Sequence, residues 1–585
     1  MALIKFIVHE DLYAILKNYA DKTQSQDFDF LVPWIEEKKK LMFDFLSAQP
    51  NLSANDNQPI QLNDDQIHAL TTLNQFKESK DDYLALLTGY AGTGKSFLLG
   101  QFLEQLSNEV KKSPNYKEED DINKLTICIA APTNKALDNM RNVCKKIKID
   151  GFNVTFITVA KLLGKTQQYD HNFNSQWIYS DDNKLENFSF IIIDEISMVG
   201  KNEYDLIVKA ANSKSKILFV GDSAQLPPIP EKGETSLPSP AFTDLAIKTK
   251  VKLNKIVRNT GALQEKTQEI RNNPDYKTTN CTFISSDDGT IIKTSSDEMP
   301  YRYVEEYNKN PDNPRIVAAT RALVKQHNDS IRKILFEGNS TTQWQVGEPI
   351  IIDSPITKKK VRDITPRLSK NDTIFTKENK FAITGNKSKP LTWKFVDLEY
   401  EKNVVCSTAE QYTITNRKEI SIEFIISDIA NSKTKVFFET IYNYQGYSLT
   451  LNNEIEIKVL DEKSCKKWKE DCKKLKNLLM EYYSDDYVNR FIFANTVYSD
   501  FLKIHDNIVY AYAMTVHKAQ GTTIPVLFYN SHIPFSGLDE KTKKRKPFFV
   551  DNRQEIQYTG LSRGKMRCYA FKETTKVGKN QYANF

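Results

Sequence analysis

Residues Leu84 to Gly100 read LALLTGYAGTGKSFLLG. The stretch opens apolar, breaks at Gly89, Gly92 and Gly94, sets Lys95 beside Ser96, and turns apolar again with a different period. An uninterrupted apolar run of this length suits a strand buried on both faces. After the lysine, Phe97, Leu98, Phe102, Leu103, Leu106 and Val110 recur at helical spacing. Strand, glycine turn and helix is the context in which GxxxxGK[ST] cradles a phosphate chain. Glycines let backbone N–H groups converge on phosphate oxygens, Lys95 supplies charge for the β- and γ-phosphates, and the Ser96 hydroxyl can ligate Mg²⁺. The predicted cradle is Gly89, Gly92, Thr93, Gly94, Lys95 and Ser96, with ATP and Mg²⁺ as cofactors.

Outward from this loop, YLALLT, LTICIAA, FSFIIID and KILFVGD alternate with helix-like segments between Tyr83 and about Phe242. Such runs predict an α/β domain built on a parallel sheet. A second set, RIVAAT, IVYAYAMT, VLFYN and CYAFK, predicts another α/β domain that is split in sequence. Between its parts the pattern changes to β-branched and aromatic segments such as TKVFFETIYNYQGYSLTL and NEIEIKVL, followed by a Lys-rich piece near Cys465 to Tyr483. The predicted division is an extension over 1–60, a first domain over 61–250 with a hairpin insert near 160–187, a second over 251–343 and 500–585, and a β-rich insert over 344–499. The extension carries a helix-like VPWIEEKKKLMFDFL and a polar SANDNQP linker. No internal repeat is visible.

A chain of 585 residues has material for several cores. Its 81 basic and 75 acidic side chains leave a net charge of +6, which permits nucleic-acid binding without arguing for it. The seven cysteines, Cys128, Cys144, Cys281, Cys406, Cys465, Cys472 and Cys568, are scattered and contain no CxxC pair, so neither a disulfide framework nor a zinc site is indicated. No secretory leader and no run approaching a membrane span is read. The expectation is a soluble cytoplasmic protein, in a bacterial or phage-infected cell, with no membrane partner.

Further motifs fall at strand ends. FIIIDEIS places Asp194 and Glu195 where a strand meets a nucleotide crevice, so that Asp194 can hold Mg²⁺ and Glu195 can orient or deprotonate a water. FVGDSAQLPPI offers Asp222 and Gln225, the latter suited to sensing a γ-phosphate through its amide. AAPTNKAL presents Thr133 and Asn134, polar groups suited to a nucleic-acid backbone, with Pro132 beside them as a further nucleic-acid-binding candidate. LNKIVRN contributes Arg258 and YTGLSRGK contributes Arg563, each able to stabilise charge on a transferring phosphoryl group.

The order LNDDQ, GYAGTGKS, AAPTNKA, FITVAKLLG, IIIDEIS, GDSAQLPPI, IVRN, AMTVHKAQGTT and YTGLSRGK resembles the motif series of superfamily 1 DNA helicases. AAPTNKA, DEISMV, GDSAQLPP, VHKAQGTT and LSRGK resemble the 5′→3′ branch, with RecD-like helicases, phage Dda helicases and the Pif family. The resemblance covers about 60–575 and implies two RecA-like domains with a small β-hairpin wedge and a β-rich, SH3-like inserted module. It implies that Gln66 reads adenine, that Arg258 and Arg563 reach the γ-phosphate, and that Gln520 and Gly521 couple ATP state to strand contacts. Thr158, Thr515, His517 and Thr522 become DNA-facing candidates. The implied partners are single-stranded and forked DNA, with a single-strand-binding protein or replisome components, and the implied state is a monomer serving replication, recombination or repair.

KTQQYDHNFNSQWIYSDDN lies where this branch carries its wedge. QQY and QWIY flank a DHNFN turn, which makes Phe173 the expected exposed tip, able to stack on a base, and Trp177 a packing residue. The branch's usual NG…G strand entry is replaced by FTKENKFAIT, and the Lys466 to Lys476 stretch reads as a solvated helix face. KTKKRKPF offers phosphate contacts or a solvated loop. Two rival classes stay open: an ATP- and DNA-binding regulatory subunit that does not unwind, and a P-loop kinase or metabolic ATPase. The latter leaves VHKAQG and LSRGK unexplained.

Overall fold

Every strand of the first sheet is parallel to its neighbours, and the nucleotide loop leaves one near its far edge. The computed structural model describes residues 62–573 apart from 113–124, parts of 148–151, 180–183, 211–214, 230–236, 337–341, most of 355–409, 427–439, parts of 483–486 and most of 535–551. The N-terminal extension with VPWIEEKKKLMFDFL and SANDNQP, nearly all of FTKENKFAIT and most of KTKKRKPF lie outside the described residues. Residues Asp64–Phe585 form one unit.

Its strands begin with β1 (Leu84–Gly89), β2 (Thr126–Ala131), β3 (Asn153–Thr158), the hairpin pair β4 (Lys165–Tyr169) and β5 (Ser175–Tyr179), β6 (Phe190–Ile193), β7 (Lys216–Gly221) and β8 (Thr249–Leu253). The first sheet runs β3-β2-β6-β7-β1-β8. All four residues of β6 are buried. Burial of an Ile- or Phe-sized side chain stabilises by about 1.5–3 kcal/mol, so this strand is held by packing on both faces. Ile191, Ile193, Ile217, Phe219 and Leu86 share one core. Phe190 faces the other side and meets the rings of Phe76 and Phe102 at 6.2 and 5.7 Å.

A second parallel sheet orders strands Ala513–Thr515, Pro314–Ala318, Ile524–Asn530, Gly564–Phe571 and Ile291–Lys293. The chain is α/β, with two parallel sheets flanked by helices. The third sheet is antiparallel, Ile455–Leu460, Thr440–Leu451, Gln411–Ile426, Pro349–Ile352 and Ile508–Tyr510. The Lys-rich stretch lies in helix Glu462–Tyr482, which buries Cys472, Leu475 and Leu479 and leaves lysines such as Lys466, Lys473 and Lys474 exposed.

The two parallel sheets reveal a repeat that is not visible by eye in the sequence. In the first, β3 ends in Thr158-Val-Ala-Lys161 at the sheet edge, beside β2 ending in Ala131-Pro-Thr133. In the second, Ala513–Thr515 ends in Thr515-Val-His-Lys518 at the edge, beside Pro314–Ala318 ending in Ala318-Ala-Thr320. The same turn therefore occurs at the same two places in both domains.

Candidate nucleotide cleft and strand-contacting edge

Gly92 and Gly94 adopt φ of 85° and 84°, the left-handed region open to glycine. A Cβ there would also lie 2.6 Å from Arg258 Cβ and 2.7 Å from Gln66 Nε2, so space and backbone both demand glycine. Buried Gln66 donates through Nε2 to the Thr93 carbonyl at 3.2 Å. Thr93 is buried too, its hydroxyl donating to the Tyr90 carbonyl at 2.9 Å, so its side chain shapes the loop from within. Lys95 folds over the loop, Nζ donating to the carbonyls of Gly89 and Tyr90 at 2.8 and 3.2 Å. Burial lowers its pKa, against the opposing pull of Asp222, Glu195 and Asp194. Ser96 follows in the first turn of helix Lys95–Lys112.

Asp194 continues the ladder of β6, its N–H donating to the Ala130 carbonyl at 2.8 Å. Burial, and next the charge of Glu195, push its carboxyl up to about 7. A nearby cation reverses that penalty. Glu195 sits at φ 52°, ψ 44°, a left-handed conformation costing a non-glycine residue about 1–2 kcal/mol. The twist sets its N–H on Asp194 Oδ1 at 2.9 Å, while its Oε2 accepts from Gln520 Nε2 at 3.3 Å.

Two arginines face these acids. Arg258 Nη1 donates to the Ser562 carbonyl at 3.3 Å; Arg563 is buried, donating to the Thr559 carbonyl at 3.0 Å and to Ser562 Oγ at 2.8 Å. Burial, reinforced by repulsion from Arg563, brings Arg258 down to about 10, and burial lowers Arg563 as well. Crowded cations removed from water call for an anion. Gln225 Oε1, Gln520 Oε1, Ser197 Oγ and Thr559 Oγ1 are buried with no hydrogen-bond partner. Each such atom costs about 1–3 kcal/mol unless something fills the site. A triphosphate with its metal and waters supplies both the charge and the donors. Among the described residues no group of three or more His, Cys, Asp or Glu is arranged as a metal cage, and Mg²⁺ shared with substrate phosphates needs none.

The strand-contacting candidates lie at the sheets' carboxyl ends. Thr133 Oγ1 accepts from the Ala136 N–H at 3.3 Å, Thr158 Oγ1 from Lys161 at 3.2 Å and Thr515 Oγ1 from Lys518 at 3.3 Å. Each is a helix N-cap whose O–H stays able to donate. Thr320, which sequence reading missed, caps helix Arg321–Leu335 in the same way, accepting from Leu323 at 3.2 Å. Its signal was the likeness of AATRAL to AAPTNKAL. Pro132, Asn134 and His517 are half-buried, and burial lowers the histidine's pKa. The Thr522 hydroxyl instead donates to the Ala519 carbonyl at 2.6 Å. Gly521, at φ 79°, offers its carbonyl to Asn139 Nδ2 on helix Asn134–Lys145, a contact across the two sheets that sequence reading also missed.

The hairpin requires a correction. β4 and β5 pair from Lys165↔Tyr179 to Tyr169↔Ser175, and Asp170 Oδ1 accepts from the N–H groups of Asn172 and Asn174 at 2.8 Å each. Phe173 is at the turn, with φ 61°, but it is 4% exposed rather than an open tip. Its ring meets Tyr498 edge-on at 5.2 Å, within a core that includes Cys472, Leu475 and Leu479. Asn495 clamps the strand end: Oδ1 accepts from the Tyr169 N–H at 2.9 Å, and Nδ2 donates to the Tyr169 carbonyl at 2.8 Å. Trp177, expected to pack, is 59% exposed on β5, with Lys165 Nζ 5.9 Å from its ring centre. The roles of the two aromatics are exchanged because the turn plugs into the inserted module.

A family model described as an AAA domain matches residues 61–284. The RecBCD enzyme subunit RecD of Buchnera aphidicola subsp. Schizaphis graminum is 23% identical over 517 residues, 83% of this chain and 70% of that protein. The ATP-dependent DNA helicase PIF1 of Emericella nidulans is 26% identical over 153 residues, 25% of this chain and 18% of that one. A solved Pif1 helicase from Bacteroides in complex with ADP-AlF3 and ssDNA has 14% identity and a TM-score of 0.39, covering 89% of this chain and 94% of that chain. Among the described residues no helix is long and apolar enough to cross a membrane. The ordered motifs, the paired parallel sheets and a cleft shaped for a nucleoside triphosphate agree with the sequence likeness to RecD and PIF1, and together they support a DNA helicase with ATPase activity that is similar to the RecD and Pif proteins.

Proposed function

We propose that the protein is an ATP-driven motor that moves 5′→3′ along single-stranded DNA and splits duplex at a fork. One observation carries the coupling. Gln520 donates to Glu195 in the cleft while its neighbour Gly521 accepts from Asn139 on the helix capped by Thr133. A rearrangement at the acid thus has a two-residue route to the strand-contacting edge.

In this reading Ser96 and Asp194 would hold Mg²⁺, which neutralises phosphate charge when bound. Lys95 steadies the β- and γ-phosphates. Glu195 orients the attacking water and accepts its proton, with Gln225 and Gln520 offering acceptors beside it. Arg258 and Arg563 balance charge as the γ-phosphoryl group transfers. Thr133 and Thr158 in one domain, with Thr320 and Thr515 in the other, give two equivalent pairs of capped turns for gripping phosphates. Alternating grip while the cleft opens and closes advances the strand. On the hairpin, exposed Trp177 is the stacking aromatic, a contact worth about 1–3 kcal/mol.

Lys95→Ala tests the motor. Its single-strand-stimulated ATP hydrolysis is expected to fall by at least about 10²-fold, because a pre-positioned charge at the transferring phosphate is lost, while the melting temperature stays near that of the parent. Equal turnover would remove the proposal. The hairpin clamp has its own consequence: Asn495→Ala frees the end of β4, so fork unwinding should fall about tenfold, the effect of ~1.4 kcal/mol, with stimulated hydrolysis within twofold. Equal losses of unwinding and hydrolysis in parallel assays would contradict the clamp's role.

A further inference from the structure

Tyr558 lies in the YTGLSRGK motif, yet the nucleotide chemistry above does not use it. Its helix, Arg553–Leu561, belongs to the second domain, and the residue is 2% exposed. Its Oη accepts the Ala91 N–H of the nucleotide loop at 2.9 Å and donates to Asp222 Oδ2 at 2.7 Å. Asp222 is buried just beyond β7 in the first domain, and its Oδ1 is paired with Arg271 Nη1 at 2.5 Å. Arg271 closes the second domain's helix Gly261–Asn272, and its guanidinium lies 4.4 Å from the ring centre of Tyr90 and 5.1 Å from that of Tyr558. Gln554 holds the two second-domain helices together, its Nε2 donating to the carbonyls of Ile270, Arg271 and Asn273 at 2.7, 2.9 and 3.0 Å.

Two side chains of one domain thus converge on one buried carboxylate and one loop N–H of the other. We infer that Tyr558 and Arg271 form a clasp that positions the nucleotide loop and Asp222 only when the domains close, making Tyr558 a positioning residue for ATP hydrolysis. The chemistry supports a directional device. A phenol that both accepts from an amide and donates to a carboxylate fixes the distance between loop and strand end, and a carboxylate already paired with a guanidinium is a strong acceptor. Arg271, sandwiched between Tyr90 of the loop and Tyr558, adds a stacking contact that an ammonium would not reproduce. Because the contacts of Tyr558 with Ala91 and Asp222, and of Arg271 with Asp222 and Tyr90, span the cleft, removing one penalises the closed state and leaves the first domain's own nucleotide contacts in place.

This inference adds to the proposed motor, whose DNA-dependent closure it would stabilise. Tyr558→Phe removes one oxygen and keeps the ring. Expected for this variant is a roughly tenfold lower kcat for ATP hydrolysis at saturating oligo-dT, with the dissociation constant of a fluorescent ADP analogue within about threefold of the parent. Arg271→Lys, which keeps the charge without the planar stack, is expected to lower kcat less than Tyr558→Phe, again without weakening ADP binding. A Tyr558→Phe kcat within twofold of the parent, or a loss of ADP affinity in step with kcat, would overturn the clasp. If the parent itself fails to respond to oligo-dT, the motor reading fails instead; the clasp is then still decided by the split between kcat and ADP affinity measured without DNA.

Discussion

Arg563→Ala is expected to reduce kcat for single-strand-stimulated ATP hydrolysis by about 10³-fold or more, the scale on which a guanidinium at a transferring phosphoryl group acts. The residue is buried, its donors anchored to the Thr559 carbonyl and Ser562 Oγ, and it faces the side of the cleft that holds Glu195. Because Arg258 and Arg563 repel each other there, removing one relieves a like-charge contact. The free protein should therefore lose little stability while its turnover collapses. Arg563→Lys separates charge from geometry: a point charge without the fork should recover only part of the loss. Steady-state kinetics with a thermal melt on each variant checks this, and a kcat for Arg563→Ala within tenfold of the parent would contradict the assignment.

Glu195→Gln should be nearly as severe. Removing a general base typically costs about 10²–10⁴-fold, and Glu195 is held in a left-handed conformation with its side chain on Gln520. Glutamine keeps the shape and can still meet Gln520, so ATP and single-stranded DNA should both bind while hydrolysis stalls. In rapid-quench single-turnover experiments the cleavage step should slow by that factor with ATP affinity nearly unchanged. A variant that cleaves at the parental rate, or that fails to bind ATP, would shift the base role elsewhere.

The residues legible in the sequence share a physical cause. Gly92, Gly94, Lys95, Asp194 and Gln225 lie at carboxyl ends of buried parallel strands or in the turns that follow, so a local pattern suffices to announce them. The features that were missed depend on segments far apart in the chain. Phe173 is buried by partners in the inserted module, and the clamp from Tyr169 to Asn495 spans 326 positions. An aromatic at a polar turn gives no sign of such a partner, and strand alternation alone cannot tell that Trp177 faces solvent. Asn139 looks like any polar helix residue until Gly521 is set against it. Thr320 was hidden for another reason: AATRAL lacks the proline and is two residues shorter than AAPTNKAL, and only their equal places in two parallel sheets make the repeat plain. Tyr558 was inside a recognised motif, but its work depends on Ala91, 467 positions away.

The measurement that tests the account most directly follows ATP-dependent unwinding of two otherwise identical duplexes, one with a 5′ and one with a 3′ single-stranded tail, with Lys95→Ala as control. The account predicts that the parent unwinds only the 5′-tailed duplex and that Lys95→Ala unwinds neither. Unwinding from the 3′ tail would contradict the proposed direction. Failure on both tails, with hydrolysis still stimulated by single strands, would contradict the motor as an unwinding enzyme and favour an ATP- and DNA-binding regulatory subunit.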